Sequence, residues 1–209
     1  MSKSRINIDN WERKSHFQFF KDFKEPFFGV VVEVDCTMAL EDAQKHGASF
    51  FLYYIYKSIK AVNEVEAFRL RIEAGEVWLY DKVCPAPTIG RDNGTFGFSN
   101  FEVHSGFEAF ATEATQVMEE VKSRNDLVPS DRLDLIYYSA IPWINFTSLS
   151  HARDLDGHDC VPKISFGKLI EKEGKKTMPM SVHVHHALAD GLHVGKYVDL
   201  FQKFMNTPL

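Results

Sequence analysis

The sequence lacks the features that would place it in a membrane or an oxidising compartment. Its 209 residues include only three cysteines, too few and too far apart for a disulfide framework or a Cys-x-x-Cys metal site. The first 14 residues are polar and charged, without the apolar core of a signal peptide. The longest apolar runs, 27–32 and 50–56, fall far short of the roughly 20 residues that cross a bilayer. We therefore expect a cytoplasmic protein.

Basic charge is also scarce. The chain carries 24 Lys and Arg against 29 Asp and Glu, a net charge of -5, and it has no Lys/Arg-rich run. Such a chain offers little to phosphate backbones or anionic lipids, so we expect no nucleic-acid partner and no membrane partner. No repeat, low-complexity stretch or flexible linker divides the sequence. We expect one domain over residues 1–209, long enough to bury a core without disulfides.

Hydrophobic periodicity predicts helices interspersed with strands. The predicted helices are 11–23, 37–47 with Thr37 as its cap, 49–65 with Ser49 as its cap, 107–121, and a last one that carries apolar residues from 194 to 205. The predicted strands are 27–35, 68–72, 76–80, short strands within 95–101, 133–140, 163–171 and 178–186. Because these elements show no steady βαβ alternation, we predict an α+β two-layer sandwich with a mixed or mostly antiparallel sheet.

The last predicted strand carries the clearest signal for chemistry. Side chains alternate along a strand, so His186 ends an apolar row while His183 and His185 lie on the opposite face. Asp190-Gly191 follows four residues later, at the turn into the final helix. An imidazole at a strand end, with low polarity around it and a rigid turn beside it, suits a general base.

Two other interpretations of this segment remain open. His186 is equally well explained as a core histidine whose hydrogen bonds are satisfied, with Asp190 as a helix N-cap and Gly191 as a turn residue. His183 and His185 form a His-x-His pair on one strand face, and histidines are common zinc ligands. No acidic or cysteine ligand lies nearby at a telling spacing to complete such a site.

Three motifs carry a family resemblance. Residues 185–191 (HHALADG) match the His-His-x-x-x-Asp-Gly signature of acyl-CoA-dependent acyltransferases. Residues 11–17 (WERKSHF) resemble the Trp-x-Arg-Lys-x-His-Phe segment of chloramphenicol acetyltransferases, and residues 142–148 (PWINFTS) resemble their Pro-Trp-x-Asn-Phe-x-Ser segment. The three motifs occur in the family's order and span nearly the whole chain. The sequence therefore resembles the chloramphenicol acetyltransferase family.

The resemblance implies an acetyl-CoA-dependent O-acetyltransferase. It would act on chloramphenicol or a similar hydroxylated small molecule, with acetyl-CoA as co-substrate and no tightly bound cofactor. His186 would be the general base and Ser148 the oxyanion donor, although Ser148 taken alone is more simply a solvated serine. Arg13, by itself a surface helix residue, would form a buried ion pair with Asp190 that holds the catalytic loop.

The resemblance also implies a pocket and an assembly. Phe19, Phe20, Phe96 and Ser165 match acceptor-pocket positions, and Lys168 matches a basic residue on the CoA side. The family forms homotrimers with the active sites between subunits.

Two departures concern the acceptor. Phe20 replaces a common pocket Tyr, and residues 149–160 form a shorter, more charged stretch than the family counterpart, with His151 and Arg153 in it. An acyltransferase for a different alcohol, amine or thiol, and a catalytically silent relative that binds a small ligand or a metal, are the alternatives.

Overall fold

In a computed structural model, which describes residues 2–153 and 159–209, the chain forms five α-helices and ten β-strands. The helices are α1 (Lys14–Phe20), α2 (Thr37–Lys45), α3 (Phe50–Asn63), α4 (Phe107–Ser123) and α5 (Gly191–Met205). The strands are β1 (Lys3–Arg5), β2 (Phe27–Asp35), β3 (Leu70–Glu73), β4 (Glu76–Tyr80), β5 (Cys84–Gly90), β6 (Phe96–Phe98), β7 (Leu135–Ala140), β8 (Lys163–Phe166), β9 (Ile170–Lys172) and β10 (Lys175–His185).

The strands form a large mixed sheet and a small antiparallel one. The large sheet has the order β2-β10-β8-β7-β5-β6, and β9 pairs with the beginning of β10. Strands β8, β7 and β5 run parallel to one another, whereas β10 is antiparallel to both β2 and β8. The small sheet has the order β1-β4-β3. The predicted α+β class with a mixed sheet is confirmed.

The main core lies between one face of the large sheet and helices α2 to α5. Met180, Val182 and Val184 of β10 belong to the same buried cluster as Ile55 of α3 and Phe201 of α5. The opposite face of β10 carries Thr177, Ser181, His183 and His185, which are also buried. The sheet therefore has an apolar face toward the helices and a polar face away from them.

Helix α1 is shorter than the predicted helix over residues 11–23. Arg13 occupies its N-cap position without a side-chain capping bond, and the helix ends at Phe20, six residues before Pro26.

The predicted cap of α2 is wrong, because Thr37 is the first residue of the helix and Asp35 supplies the capping carboxylate. Asp35 Oδ1 accepts from the Thr37 N–H at 3.0 Å and from the Thr37 hydroxyl at 2.7 Å.

The predicted strand over residues 163–171 is interrupted after Phe166. At Gly167 the chain approaches its neighbours so closely that a Cβ would lie 2.5 Å from Pro179 Cγ and 2.8 Å from the carbonyl oxygen of Ile144. The N–H of Lys168 then donates to that same carbonyl at 2.8 Å. The Lys168 N–H therefore pairs with the segment that follows β7. In a continuous strand it would have paired with a neighbouring strand of the sheet.

Arg71 of β3 connects the small sheet to the large one. Its side chain is fully buried. Its guanidinium donates to the carbonyls of Leu133 and Leu135, beside and within β7, and to those of Phe68 and Leu70. A buried charge is tolerated when its donors are satisfied in this way.

All three cysteines lie within the described residues and are buried free thiols. Burial raises the pKa of Cys36 to about 12, with the nearby Asp35 acting in the same direction. Burial likewise raises the pKa of Cys84 to about 12 and raises that of Cys160. Among the described residues, the helices are too short or too polar for any of them to cross a membrane.

Gly29 of β2 is required by the ring of His183 on β10. The two residues are register partners, and a Cβ at position 29 would lie 2.3 Å from two atoms of that ring. We expect Gly29→Ala to destabilise the protein by about 1–3 kcal/mol, because His183 is buried and has little room to move. Thermal unfolding followed by circular dichroism measures this change.

Gly195→Ala is the matched control. Gly195 is exposed within α5, and a Cβ there meets nothing within 4 Å. Alanine favours a helix interior over glycine by about 1 kcal/mol, so this variant should melt at a slightly higher temperature than the wild type. Equal melting temperatures for Gly29→Ala and the wild type would show that the contact with His183 is not tight.

Candidate active site

The turn between β10 and α5 presents the ring of His186. The N–H of His186 donates to the carbonyl of Pro26 at 2.8 Å, which anchors the residue just beyond the strand end. Its ring Nδ1 lies 3.1 Å from the carbonyl oxygen of Ala189. A carbonyl oxygen only accepts, so Nδ1 carries the proton in this contact and Nε2 is left as a lone-pair acceptor. The turn therefore holds His186 in the tautomer that a general base requires.

Two aromatic rings pack against the His186 imidazole. The ring of Phe20 stacks on it with centroids 4.2 Å apart and planes 17° apart. The ring of Phe28 lies 4.6 Å away at a tilt of 44°. Phe20, which the resemblance places in the acceptor pocket, is thus in direct contact with the proposed base. These contacts restrict the orientation of the imidazole and shield part of it from water.

Asp190 and Arg13 connect the turn to the beginning of α1. The Asp190 carboxylate accepts from Arg13 Nη1 and, as the N-cap of α5, from the Leu192 N–H at 3.1 Å. Arg13 Nη2 also donates to the carbonyl of His186 at 3.3 Å. Burial opposes ionisation of Asp190, but the Arg13 hydrogen bond and the nearby His193 outweigh it and lower its pKa to about 2. Asp190 is therefore ionised at neutral pH.

The ion pair is less buried than the sequence led us to expect. The Asp190 side chain is 29% exposed and that of Arg13 is 14% exposed. The helix pattern taken alone predicts a solvated Arg13. In the structure its side chain instead contacts Asp190 and the carbonyl of His186. Among the hydrogen bonds of the described residues, Nδ1 of His186 faces a backbone carbonyl, and the Asp190 carboxylate accepts from Arg13 and Leu192 rather than from the His186 ring.

His185 supports the same turn from the other side of the strand. Its Nδ1 accepts from the N–H of Ala187 at 3.2 Å, and its ring meets Phe27 edge-on at 5.6 Å. Burial lowers the pKa of His185 to about 4, so the ring is neutral and able to accept at pH 7. Sequence alternation predicted the face of His185 but gave no sign of this hydrogen bond.

Ser148, the proposed oxyanion donor, is not hydrogen-bonded to His186 among the described residues. It is exposed, in the segment that follows β7. None of the hydrogen bonds among the described residues joins it to His186. Trp143 and Ile144 of the same motif are 79% and 56% exposed. Within the described part of one chain, the two proposed catalytic side chains are therefore not joined by a hydrogen bond.

The other proposed site residues fall into separate places. Phe19 is 64% exposed on α1, with its ring 4.9 Å from that of Phe20. Phe96 is 48% exposed and lines a cavity of about 460 Å³, and His186 is not among the residues of its wall. Ser165 is fully buried, with its Oγ 3.5 Å from His151 Nε2. Lys168 is exposed.

The cavity beside Phe96 contains charged residues that the sequence did not single out. Lys163, the first residue of β8, is 8% exposed and forms an ion pair with Asp159. Both side chains line the cavity together with His151. A lysine at the beginning of a predicted strand gives no local sign that its ammonium is buried.

The His-x-His pair had left a metal site open as an alternative. Within 2–153 and 159–209, no group of three His, Cys, Asp or Glu side chains is arranged to hold a metal ion.

Comparison with known proteins identifies the family. A family model of chloramphenicol acetyltransferase matches residues 1–202. The chain is 29% identical to chloramphenicol acetyltransferase 3 of Escherichia coli over the full length of both chains. It is 27% identical to a chloramphenicol acetyltransferase of Staphylococcus aureus, with 100% of this chain and 98% of the other covered.

Solved structures agree with this result. A chloramphenicol acetyltransferase structure with 33% sequence identity superposes with a TM-score of 0.91 over 98% of this chain and all of the other. A probable dihydrolipoamide acetyltransferase of Listeria monocytogenes, 11% identical, shares the fold with a TM-score of 0.66, covering 98% of this chain and 94% of the other. The chain therefore belongs to the chloramphenicol acetyltransferase family and is an acyltransferase.

Proposed function

We propose that this protein transfers the acetyl group of acetyl-CoA to a hydroxyl of chloramphenicol or of a similar hydroxylated small molecule. The observation that carries the proposal is the hydrogen bond from His186 Nδ1 to the carbonyl of Ala189, which leaves Nε2 as a base. The whole chain, 1–209, would act as one acyltransferase domain without a tightly bound cofactor. The three free thiols support a reducing compartment, and we place the protein in the cytoplasm.

His186 and Ser148 divide the chemistry between them in this proposal. Nε2 of His186 takes the proton of the acceptor hydroxyl while the hydroxyl oxygen attacks the thioester carbonyl carbon. The Ser148 hydroxyl donates to the oxyanion of the tetrahedral intermediate. The C–S bond then breaks, and His186 returns its proton to the departing thiolate. The products are the acetyl ester and free CoA, and the acetyl group is never bonded to the protein.

The remaining residues position these groups. Arg13 and Asp190 hold the turn that carries His186, and Phe20 fixes the ring. In the proposed enzyme, Phe96, Ser165 and Phe19 would belong to the acceptor side and Lys168 to the CoA side, as the family resemblance implies. A homotrimer in which one subunit supplies the base and its neighbour supplies the acceptor pocket would bring His186 to the cavity that Phe96 lines, whose described wall does not include His186.

The proposal is tested by incubating the purified protein with acetyl-CoA and a panel of hydroxylated acceptors that includes chloramphenicol. Release of the CoA thiol reports turnover. His186→Ala should lower kcat by at least roughly 10²-fold, because the hydroxyl loses its base, while leaving the affinity for CoA nearly unchanged.

His185→Gln is the control for that variant. A glutamine side-chain oxygen can still accept the Ala187 N–H, so we expect a much smaller loss of kcat. If His186→Ala turned over as fast as the wild type, His186 would not be the general base. Failure of the wild type to release CoA with every acceptor would favour the catalytically silent alternative.

Arg13→Val tests the positioning contact. We expect a loss of stability of about 1–3 kcal/mol, since Asp190 loses its charged donor but keeps the Leu192 N–H and partial access to water. We also expect a lower kcat with little change in KM, because the backbone of His186 is no longer held. Calorimetric unfolding and steady-state kinetics measure the two effects.

Arg5→Val makes the same substitution at a solvated ion pair. The Arg5 side chain is 62% exposed and lies 3.0 Å from Glu76, so its loss should leave both unfolding and kcat close to wild type. If Arg13→Val behaved like Arg5→Val, the contact with Asp190 would not support the turn.

A mixture of two inactive variants tests the shared site. His186→Ala removes the base, and Phe96→Asp places a charge in the aromatic wall at a half-exposed position that should still fold. In randomly mixed trimers about a quarter of the sites would combine an intact base with an intact pocket. Activity of the refolded mixture should then exceed the sum of the two parents. A monomer in sedimentation, or mixed trimers no more active than the parents, would contradict the shared site.

A further inference from the structure

His193, in the first turn of α5, contacts the turn that presents His186. Its ring Nδ1 lies 3.2 Å from the backbone nitrogen of Asp190 and 2.8 Å from Oδ1 of the same residue. The side chain is 20% exposed, so the protein shields most of the ring from water. The family resemblance assigns no role to this histidine, although it lies as close to the turn as Arg13 does.

One peptide unit connects the imidazole of His193 with that of His186. The carbonyl of this unit belongs to Ala189 and lies 3.1 Å from Nδ1 of His186, while its N–H belongs to Asp190 and points to Nδ1 of His193. No peptide bond among the described residues is cis. In a trans peptide unit the C=O and the N–H lie in one plane and point in opposite directions. An acceptor that holds the N–H therefore also fixes the direction of the carbonyl.

The other N–H groups of this turn are held independently of His193. Those of Leu188 and Ala189 donate to the carbonyl of His185 at 2.9 and 3.0 Å, and both residues are buried. The N–H of Asp190 has no acceptor other than His193 among the described residues. A shielded N–H without an acceptor is costly, so the peptide unit would turn to find one if the imidazole were lost. The direction of the Ala189 carbonyl therefore depends on His193.

Nδ1 of His193 can form only one of its two contacts at a time. With a lone pair it accepts the Asp190 N–H, and with a proton it donates to the Asp190 carboxylate. That carboxylate already accepts from Arg13 on Oδ2 and from the Leu192 N–H on Oδ1. The lone-pair form satisfies a group that has no other acceptor, whereas the protonated form adds a third donor to a carboxylate that has two. These contacts favour the lone pair on Nδ1.

We propose that His193 is a positioning residue for the general base. In its Nε2–H tautomer it accepts the Asp190 N–H through Nδ1, holds the Ala189 carbonyl toward His186, and so keeps the proton of His186 on Nδ1. The hydrogen bond at the N–H also polarises the amide, which makes the carbonyl a stronger acceptor. The two histidines are then in opposite tautomers, fixed by opposite ends of one peptide unit. The inference rests on the proposed function, because it concerns the base that this function uses.

The tautomers are measured by nitrogen-15 NMR of protein labelled at the histidine ring nitrogens, at pH 8, above the ordinary pKa of an imidazole. Protonated and unprotonated ring nitrogens differ widely in chemical shift, and His186→Ala and His193→Asn identify the two rings by the loss of their signals. In the wild type we expect the proton of His186 on Nδ1 and that of His193 on Nε2. A proton on Nδ1 of His193 would place its hydrogen bond on the Asp190 carboxylate and overturn the inference.

His193→Leu and His193→Asn have side chains of nearly the same shape, but only asparagine can accept the Asp190 N–H. Its Oδ1 is as many bonds from the backbone as Nδ1 of histidine. His193→Leu should lower kcat about 3- to 10-fold, the effect of one lost hydrogen bond, and change the KM for either substrate less than about twofold. The share of the Nε2–H tautomer of His186 should rise by the same factor, whereas His193→Asn should stay near wild type in both.

The order of the two variants separates positioning from a purely structural role. Leucine is the better helix former, so a residue that only stabilised α5 would make His193→Asn the more impaired of the two. His46→Leu is the matched control, because His46 follows α2, is 53% exposed and contacts Asp42 through its Nδ1. It should change neither kcat nor the tautomer of His186.

The tautomer measurement needs no turnover, so the inference and the proposed function can fail separately. An unchanged kcat and an unchanged His186 tautomer in His193→Leu would overturn the positioning role and leave the proposed function intact. Equal losses of kcat in His193→Leu and His193→Asn would overturn it as well, since an acceptor for the Asp190 N–H would then not matter. The expected tautomers and their response to His193→Leu, in a protein that releases no CoA with any acceptor, would support the positioning role and overturn the proposed function.

Discussion

The register of β10 is the constraint on which the rest of the structure depends. This strand pairs with β2 on one side and with β8 and β9 on the other. Its register sends Met180, Val182 and Val184 into the helical layer and sends His183 to the polar face. A slip of one residue would exchange the two sets and put histidine into the main core. Because His186 follows the last residue of the strand, the same register fixes where the proposed base emerges.

The polar face of the sheet is built from close pairings that follow from this register. Gly29 on β2 makes room for the His183 ring, and Lys163 on β8 lies opposite His183 on the other side. The His151 ring meets that of His183 edge-on, with centroids 4.8 Å apart. Burial keeps His151 neutral, which limits the number of charges placed together on this face. The fold thus accommodates polar groups on a buried surface by pairing or neutralising them.

Much of the fold could be predicted from local sequence signals. Ser49 caps α3 as expected, with its Oγ accepting from the Leu52 N–H, and the Ala74-Gly75 turn joins β3 to β4. Helix α5 begins after Asp190 and buries the predicted apolar stripe. Strand β5 was missed because Pro85 and Pro87 argue against a strand in the middle of a sheet. Both prolines are accommodated because their carbonyls accept from Phe101 and Ser99, a role that needs no proline N–H.

The candidate site was predictable in its residues but not in its arrangement. Motif matches placed Arg13 and Asp190, 177 residues apart, in one contact, and the structure shows that contact. Sequence could not show that Phe20 stacks on His186 while Phe96 lines a cavity that His186 does not enter. Nor could it show the burial of Lys163, since the partners of a strand residue depend on pairings that are remote in the chain.

The three cysteine thiols are buried, and burial makes them unreactive. Disulfide exchange and alkylation require a thiolate, and a thiol with a pKa of about 12 is almost entirely protonated at neutral pH. Cys36, Cys84 and Cys160 are at most 1% exposed, so reagents and oxidants have little access to them. In the folded protein these thiols should therefore not react with aromatic disulfide reagents or with mild oxidants. Any thiol that becomes reactive while the enzyme turns over would then come from coenzyme A rather than from the polypeptide.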